Sequence, residues 1–488
     1  MKERQNWDRA NIKTSKDNSP SGAAADLRGF LQVLREKGEL LETETEISTK
    51  FELAAAVAEM EGREAVMFRK VKESSMLVAC NGCGTPYRFL LSIDSKGATE
   101  SSMPRTEVKR LIHQRVAYAL GHLSAPTEIT SEAPFETNTS KNLADLPIVT
   151  HFEKDAGAFI TSSSVFVRDE ERGNQNSSVH RMLYLDSKHM AIRMVEGRHL
   201  HKCFTYAKEH GQDLRVAVCI GLHPAITIAS AYQASYGTDE MQIANALLDG
   251  RLYAKKLASS GLMVPASSEI VLEGRILHDQ THEEWMVEML RTYDFKRQQP
   301  VFELERILYR DNAIYYDILP GYLEHRLLMG MPVESKMYDQ IKATVPNTKS
   351  VHLTDGGCNW LSAVVQIEKR LEGEPKNAIL AAFSSHPSLK MVTIVDHDID
   401  PTSAVAVEYA VATRCQADRD IVTVPGAKGS SLDPSSDQAN LLTTKIGIDA
   451  TATLLKPKER FEIARIPNQA GIRIERYFPA RKNHSTRE

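Results

Sequence analysis

A chain of 488 residues with 60 basic and 64 acidic side chains, net charge −4, has none of the basic excess by which proteins bind nucleic-acid phosphates, which argues against a nucleic-acid partner. Its longest apolar stretch, AVCIGLHPAITIASA at 217–231, is interrupted by His223 and Pro224 and is shorter than the roughly 20 residues of a membrane-spanning helix. Six cysteines make no disulfide framework in a chain of this size, so a protein of the reducing cytoplasm is expected.

At roughly 150 residues per domain there is room for two or three domains. Residues 1–25 are polar and lack the apolar core of a secretory signal, so they read as a disordered lead-in. Leu27, Phe30, Leu31 and Leu34 recur at helical spacing, with Asp26 as cap and Gly38 as terminator. ELLETETEI alternates like a strand and FELAAAVAEMEG returns to helix. CNGC at 80–83 reads as a turn between two strands; the competing reading, a structural zinc site, lacks a second cysteine pair. Residues 101–120 read as helix, and the polar, turn-rich 129–149 places a domain boundary near 130–150.

From 159 to 320 the signals are mostly short strands, which predicts a barrel-like β domain. After Pro332, strand and helix alternate as in an α/β layer with parallel strands. The expected division is an N-terminal mixed α/β domain over 26–130, a β-rich domain over 131–325 and a C-terminal α/β domain over 326–488. Apolar elements such as AILAAF in the last point to self-association.

Four stretches carry candidate chemistry. NSSVHR holds Asn176 and Arg181, GRHLHK holds Arg198, His199 and His201, and Glu240 lies in YGTDEMQIANALLDG. Asn, His and Glu together suit a hard divalent ion such as manganese. Against this, Glu240 also reads as an acid favoured in a helix's first turn, and His199 as a structural histidine. THEEWMVEML places Glu283 and Glu288 beside Trp285 and Met289. An apolar pocket there would raise a carboxyl's pKa and make a proton donor; the alternative is a pair of solvated charges. Asp396, Asp398 and Asp400 in VDHDIDP allow a magnesium phosphotransfer reading, but no partner lysine or threonine motif accompanies them. GAKGSS at 426–431 lacks the spacing of a nucleotide loop and reads as a turn.

In their order, Asn176, Arg181, Arg198-His199, Glu240, Glu283 and Glu288, with SSEIVLEG, LPGYLEHRLLMGMP, DHDID and GAKGSSLDP around them, resemble the UbiD family of prenylated-FMN-dependent decarboxylases. The resemblance runs from about residue 26 to 475. It implies an α+β fold with a split β-barrel-like flavin-binding domain and a C-terminal oligomerisation domain. It also implies prenylated FMN and Mn2+, with K+ a further candidate. By the same resemblance Asn176, His199 and Glu240 ligate a manganese ion that bridges the cofactor phosphate. Val179, His180, Arg181, Arg193, Met194, Val195, Arg198 and His199 contact the cofactor. Arg181, Glu283 and Glu288 form the catalytic group, Glu288 delivering the proton.

The chemistry is consistent: loss of carbon dioxide from an sp² carbon needs an electron sink that no side chain offers and a modified flavin supplies. Many family members carry Glu-Gly-Pro-Phe-Gly-acid where this chain has Glu283-Glu284-Trp285-Met286-Val287-Glu288, so pocket shape departs from the pattern and Glu284 rivals either acid. LTDGGCNWLSAVVQI, LPGYLEHRLLMGMP and TTKIGIDAT resemble the archaeal branch of the family, which implies anhydromevalonate phosphate of isoprenoid synthesis as substrate. An aromatic, hydroxybenzoate-type acid and a catalytically inactive assembly subunit are the alternatives. The expected partners are a flavin prenyltransferase that supplies the cofactor and further copies of the chain, as a dimer or hexamer.

Overall fold

The computed structural model describes residues 25–234 and 237–478, so all but residue 25 of the expected lead-in lies outside the described residues. The first helix, Leu27–Glu36, starts where the sequence predicts: the Asp26 carboxylate accepts from the Gly29 N–H at 2.7 Å. Leu27, Phe30, Leu31 and Leu34 are buried along its inner face, and Gly38, at φ +70°, supplies the left-handed residue that ends it.

This helix covers a four-stranded sheet in the order Leu40–Thr43, Ala65–Phe68, Leu77–Cys80, Ile314–Asp317. The last strand arrives from the far end of the central region and runs parallel to Leu77–Cys80, so the N-terminal sheet is completed only after the β domain has folded back onto it. The CNGC turn joins Leu77–Cys80 to the helix Pro86–Ile93 and not to a second strand, correcting the expectation. Asn81 takes φ +60° there. The turn is held from outside: the buried Glu324 carboxylate accepts from the Asn81 N–H at 2.9 Å, the Cys83 N–H at 2.7 Å and the Tyr316 hydroxyl at 2.5 Å. No local signal could have announced that partner.

The central domain is a closed barrel of six antiparallel strands. In barrel order they are Ile270–Glu284, Leu214–Ile220, Phe159–Arg168, Gln175–Tyr184, His189–Ile192 and Arg297–Tyr309, and the first and last pair with each other to close the ring. Closure removes sheet edges, which would otherwise leave unpaired backbone groups. Val165, Met182, Met190, Val218, Leu272 and Phe302 fill one core and are fully buried. Gly274 lies at a register shift in the long strand, where a Cβ would come within 2.2 Å of the Glu303 carbonyl oxygen.

The change to α/β pattern begins before Pro332, on a 22-residue helix, Leu323–Thr344, that carries Pro332 inside it. The C-terminal sheet behind it has the order Thr348–Leu353, Ser362–Ile367, Met391–Asp396, Leu442–Ala450, Ile421–Lys428. Only its three central strands are mutually parallel; both edge pairs are antiparallel, which corrects the all-parallel expectation. The reason lies in the connections. Residues 354–361 are too short to hold a crossover helix, and 429–441 form turns with no helix, so each joins antiparallel neighbours. Among the described residues no helix is long and apolar enough to cross a membrane.

Candidate active site

Arg181 sits on the strand Gln175–Tyr184 with only a tenth of its side chain exposed. Three carboxylates surround its guanidinium. Nε donates to Glu284 Oε1 at 2.6 Å, and Nη2 to Glu284 Oε2 at 3.0 Å and to Asp294 Oδ2 at 3.1 Å, while Nη1 donates to Glu288 Oε1. Burial alone would drive the proton off Arg181, but Glu288, Glu284 and Asp294 outweigh it and raise its pKa above the ordinary arginine value. Two more arginines stand beside it. Arg193 donates its backbone N–H to the Arg181 carbonyl at 3.1 Å and places Nε 3.9 Å from Asp294 Oδ2. Arg297 pairs with Asp294 Oδ1. Burial and then the charges of Arg181 and Arg297 lower Arg193's pKa. Burial pushes Asp294 up, but Arg297 and Arg181 prevail and hold its carboxyl below the usual range.

The partner of Arg181 is Glu284, not the expected Glu283. Both end the strand Ile270–Glu284, opposite Arg297 and Gln298 respectively. Successive residues of a strand point to opposite faces. Glu284 therefore turns inward with no exposure, while the Glu283 side chain is 46% exposed and 3.4 Å from Lys296 Nζ. The chain then reverses through a hairpin in which Val287 bridges Tyr293 and the Glu288 N–H donates to the Thr292 carbonyl at 2.9 Å. The bulky residues of this turn have distinct anchorages. Met286 joins Phe159, Leu183 and Ala191 in the barrel, Met289 enters the C-terminal core, and Trp285 Nε1 donates to the Lys154 carbonyl at 2.7 Å. Asp155 accepts from the Val287 N–H at 3.0 Å, and burial raises its pKa. His325 Nδ1 accepts from the Gly321 N–H at 3.0 Å; burial lowers its pKa against the opposing charge of Glu288.

The structure brings Asn176, His199 and Glu240 together. Asn176 Nδ2 lies 2.9 Å from both Glu240 oxygens and 2.9 Å from His199 Nδ1, and Glu240 Oε1 is 3.7 Å from His199 Nδ1. Each side chain comes from the start of an element: Asn176 from a strand, His199 from the first turn of His199–Glu209, Glu240 from the first turn of Glu240–Leu247. Among the described residues no three His, Cys, Asp or Glu side chains group as metal ligands; here the third member is an amide. A half rotation of that amide presents Oδ1 to the carboxylate and imidazole, giving the oxygen-and-nitrogen donor set of a hard divalent ion. The residues fit such an ion.

Between the two constellations lie the expected cofactor segments. His180 Nδ1 is 2.8 Å from the Arg193 carbonyl and Nε2 is 2.9 Å from Ser178 Oγ; burial pushes its pKa down to about 4. Val179 is half-buried beside it. The Met194 N–H donates to Gln299 Oε1 at 2.9 Å, while Val195 and Arg198 stand exposed on the connecting turn.

The acidic motif 395–401 has another occupation. Arg414 donates to Asp396 Oδ2 at 2.5 Å and to Asp398 at 2.9 and 2.7 Å, and Asp396 also accepts from the Ala452 N–H at 2.6 Å. These acids hold a helix and the segment that follows the strand Leu442–Ala450, so the phosphotransfer reading has no free carboxylate pair. The first residues of GAKGSS complete the strand Ile421–Lys428, and only Gly429 onward turns. A cavity of about 500 Å³ bordered by Arg63, Arg88, Arg105 and Asp355 contains none of the candidate residues. Two of its arginines are already paired, Arg88 with Glu39 and Arg105 with Asp355.

Three consecutive segments match the 3-octaprenyl-4-hydroxybenzoate carboxy-lyase domains: N-terminal over 31–129, Rift-related over 126–323 and C-terminal over 326–450. The chain belongs to the UbiD family. Anhydromevalonate phosphate decarboxylase of Methanocaldococcus jannaschii is 49% identical over 67% of this chain and 77% of its own. Its namesake in Methanothermobacter thermautotrophicus is 39% identical over 90% of this chain and 100% of its own. The UbiD-class enzyme HmfF from Pelotomaculum thermopropionicum, in complex with FMN, is 36% identical and superposes with a TM-score of 0.87, covering 93% of this chain and 100% of HmfF. An evolved dimeric form of HmfF in complex with prenylated FMN gives 0.83 at 33% identity over 93% and 100%.

Within this UbiD chain, sequence reasoning overlooked Asp294, Asp155 and His325. RTYDFK and FEKDAG carry no local signal for the first two, because the Arg181 guanidinium and the Val287 N–H that they meet lie more than a hundred residues away in the chain. His325, in the quoted LPGYLEHRLLMGMP, comes into range of Glu288 only through tertiary folding.

Proposed function

We propose that this chain catalyses non-oxidative decarboxylation of an α,β-unsaturated carboxylic acid, anhydromevalonate phosphate of isoprenoid synthesis, with prenylated FMN and Mn2+. One observation carries the chemistry: a buried guanidinium bonded to two carboxylates of the strand-turn 284–294 and to a third, Glu288, on the loop between them. The substrate rests on the relatives' names. When bound, prenylated FMN supplies the electron sink that cleavage of a bond to an sp² carbon requires. Asn176, His199 and Glu240 would hold the metal, with K+ a further candidate, and Val179, His180, Arg193, Met194, Val195, Arg198 and His199 would line the cofactor.

The remaining steps belong to the chain's own side chains. Arg181 orients the substrate carboxylate through a charge-assisted hydrogen bond from its guanidinium fork. Glu284, in the place the sequence suggested for Glu283, fixes the fork. Glu288 delivers a proton to the carbon that loses carbon dioxide. Met286 and Met289, both buried, anchor the loop that carries Glu288. Exposed apolar side chains on the C-terminal domain, Leu380, Val405 and Tyr409, support a homo-oligomer, dimer or hexamer; a cytoplasmic location and a flavin prenyltransferase as cofactor supplier complete the reading.

The test is production alongside a flavin prenyltransferase, then anaerobic assay of anhydromevalonate phosphate. Bound flavin, stoichiometric manganese and release of carbon dioxide with a phosphorylated alkene are expected. Turnover of hydroxybenzoates alone would move the assignment to the aromatic acids, and a flavin-free, metal-free protein would remove it.

A further inference from the structure

Arg181 has five N–H donors, three on its Nε and Nη2 edge and two on Nη1. The edge is fully used: Glu284 takes Nε and one Nη2 hydrogen, and Asp294 takes the other. Nη1 carries only Glu288. The three acids are also held unequally. Glu284 is unexposed and bidentate on a strand end. Asp294 is 3% exposed, bonds Arg181 and Arg297, and accepts from the Phe295 N–H at 2.8 Å. Glu288 is 20% exposed, sits on a turn and has one cationic partner, its second oxygen lying 3.4 Å from the Met289 N–H.

Charge is balanced in this cluster. Arg181, Arg193 and Arg297 face Glu284, Glu288 and Asp294. A substrate carboxylate entering such a buried site adds one uncompensated negative charge, which a low-dielectric environment penalises heavily. The release open to the cluster is a proton on its most weakly held acid.

We infer that Nη1 of Arg181 is an exchangeable carboxylate port: the substrate's carboxylate displaces Glu288 from it, and Glu288, deprived of its cation, takes up a proton from solvent and so becomes the acid only once substrate is in place. Glu284 and Asp294 keep the guanidinium still during the exchange. Asp294 is thus a positioning residue. The proton bookkeeping closes: one proton enters with the substrate, the bond to carbon dioxide breaks, the Glu288 O–H bond breaks as the new C–H bond forms, and the regenerated carboxylate returns to Nη1. The other titratable groups on or against Glu288's loop are His325, whose pKa burial lowers, Asp155, already engaged by the Val287 and Phe152 N–H groups, Arg291, paired with Glu61 at 2.6 Å, and Tyr293, whose hydroxyl accepts from the Lys154 N–H at 3.3 Å.

This inference rests on the proposed function but is read without turnover. The probe is 3-methylbutanoate, a saturated acid with no double bond to react, titrated calorimetrically into flavin-loaded enzyme in buffers of differing ionisation enthalpy. Uptake approaching one proton per site is expected. On the alkaline side the dissociation constant should weaken about tenfold per pH unit. Glu288→Gln should bind the acid with no uptake. Asp294→Asn, which leaves the free cluster one positive charge in excess, should reduce it. Binding without proton uptake, uptake that survives in Glu288→Gln, uptake lost only in Asp155→Asn, or no binding by enzyme that decarboxylates its substrate would each overturn the port. A protein that takes up the proton but decarboxylates no acid would leave the port standing and remove the proposed function.

Discussion

Glu283→Gln and Glu284→Gln change adjacent residues by the same chemistry, and the structure expects opposite outcomes. Glu284 has no exposure and two hydrogen bonds to Arg181, at 2.6 and 3.0 Å. Removing one partner of a buried ion pair costs about 3–5 kcal/mol. Glutamine keeps one acceptor oxygen, and Glu288 and Asp294 still face the guanidinium, so the lower end, about 3 kcal/mol, applies. The loosened fork should also cost kcat/KM about a hundredfold, the scale of a 1 Å misplacement of a catalytic group. Glu283 is 46% exposed and 3.4 Å from a still more exposed Lys296. An exposed pair of this kind contributes less than about 1 kcal/mol, and kcat/KM should stay within about twofold. Urea midpoints and steady-state kinetics on the flavin-loaded variants decide it. If Glu283→Gln lost as much activity as Glu284→Gln, the inward assignment of position 284 would be wrong.

Glu240→Gln removes the charge from the Asn176–His199–Glu240 set, so manganese and bound flavin should fall together by about ten- to a hundredfold in affinity; undiminished metal content by mass spectrometry would refute the assignment. Glu324→Ala strands the Asn81 and Cys83 N–H groups and the Tyr316 hydroxyl, at about 1–3 kcal/mol for each buried donor; a loss below about 1 kcal/mol in urea would contradict the role given to that carboxylate. Burial keeps His180, His223 and His386 neutral, with pKa values pushed down to about 4, 3 and 4. The unfolded chain binds protons there as pH falls through about 6.5, so stability is full above that pH and drops below it, by about 2 kcal/mol per histidine at pH 5. Asp239, raised by burial to about 6, acts oppositely and returns roughly 1 kcal/mol over the same interval. Thermal midpoints at pH 5 equal to those at pH 7 would refute this balance.

The ordered set Asn176, Arg181, His199, Glu240 and Glu288 was legible only through the resemblance to the UbiD family, whereas spacing alone showed the Asp26 cap, the helix it starts and the run of barrel strands. Those signals act within a few residues, where cap geometry and strand or helix period operate. Which acid meets Arg181 was not legible. It depends on where the strand Ile270–Glu284 ends, on its register shifts and on a hairpin that folds Asp294 back beside Glu284. The partners of the CNGC turn and of the 395–401 acids were likewise set by distant residues, Glu324 and Arg414. Backbone periodicity is a property of neighbours in the chain, whereas a buried charge must find its counter-charge in space, and only the closed barrel and the helix packed behind it bring those positions together.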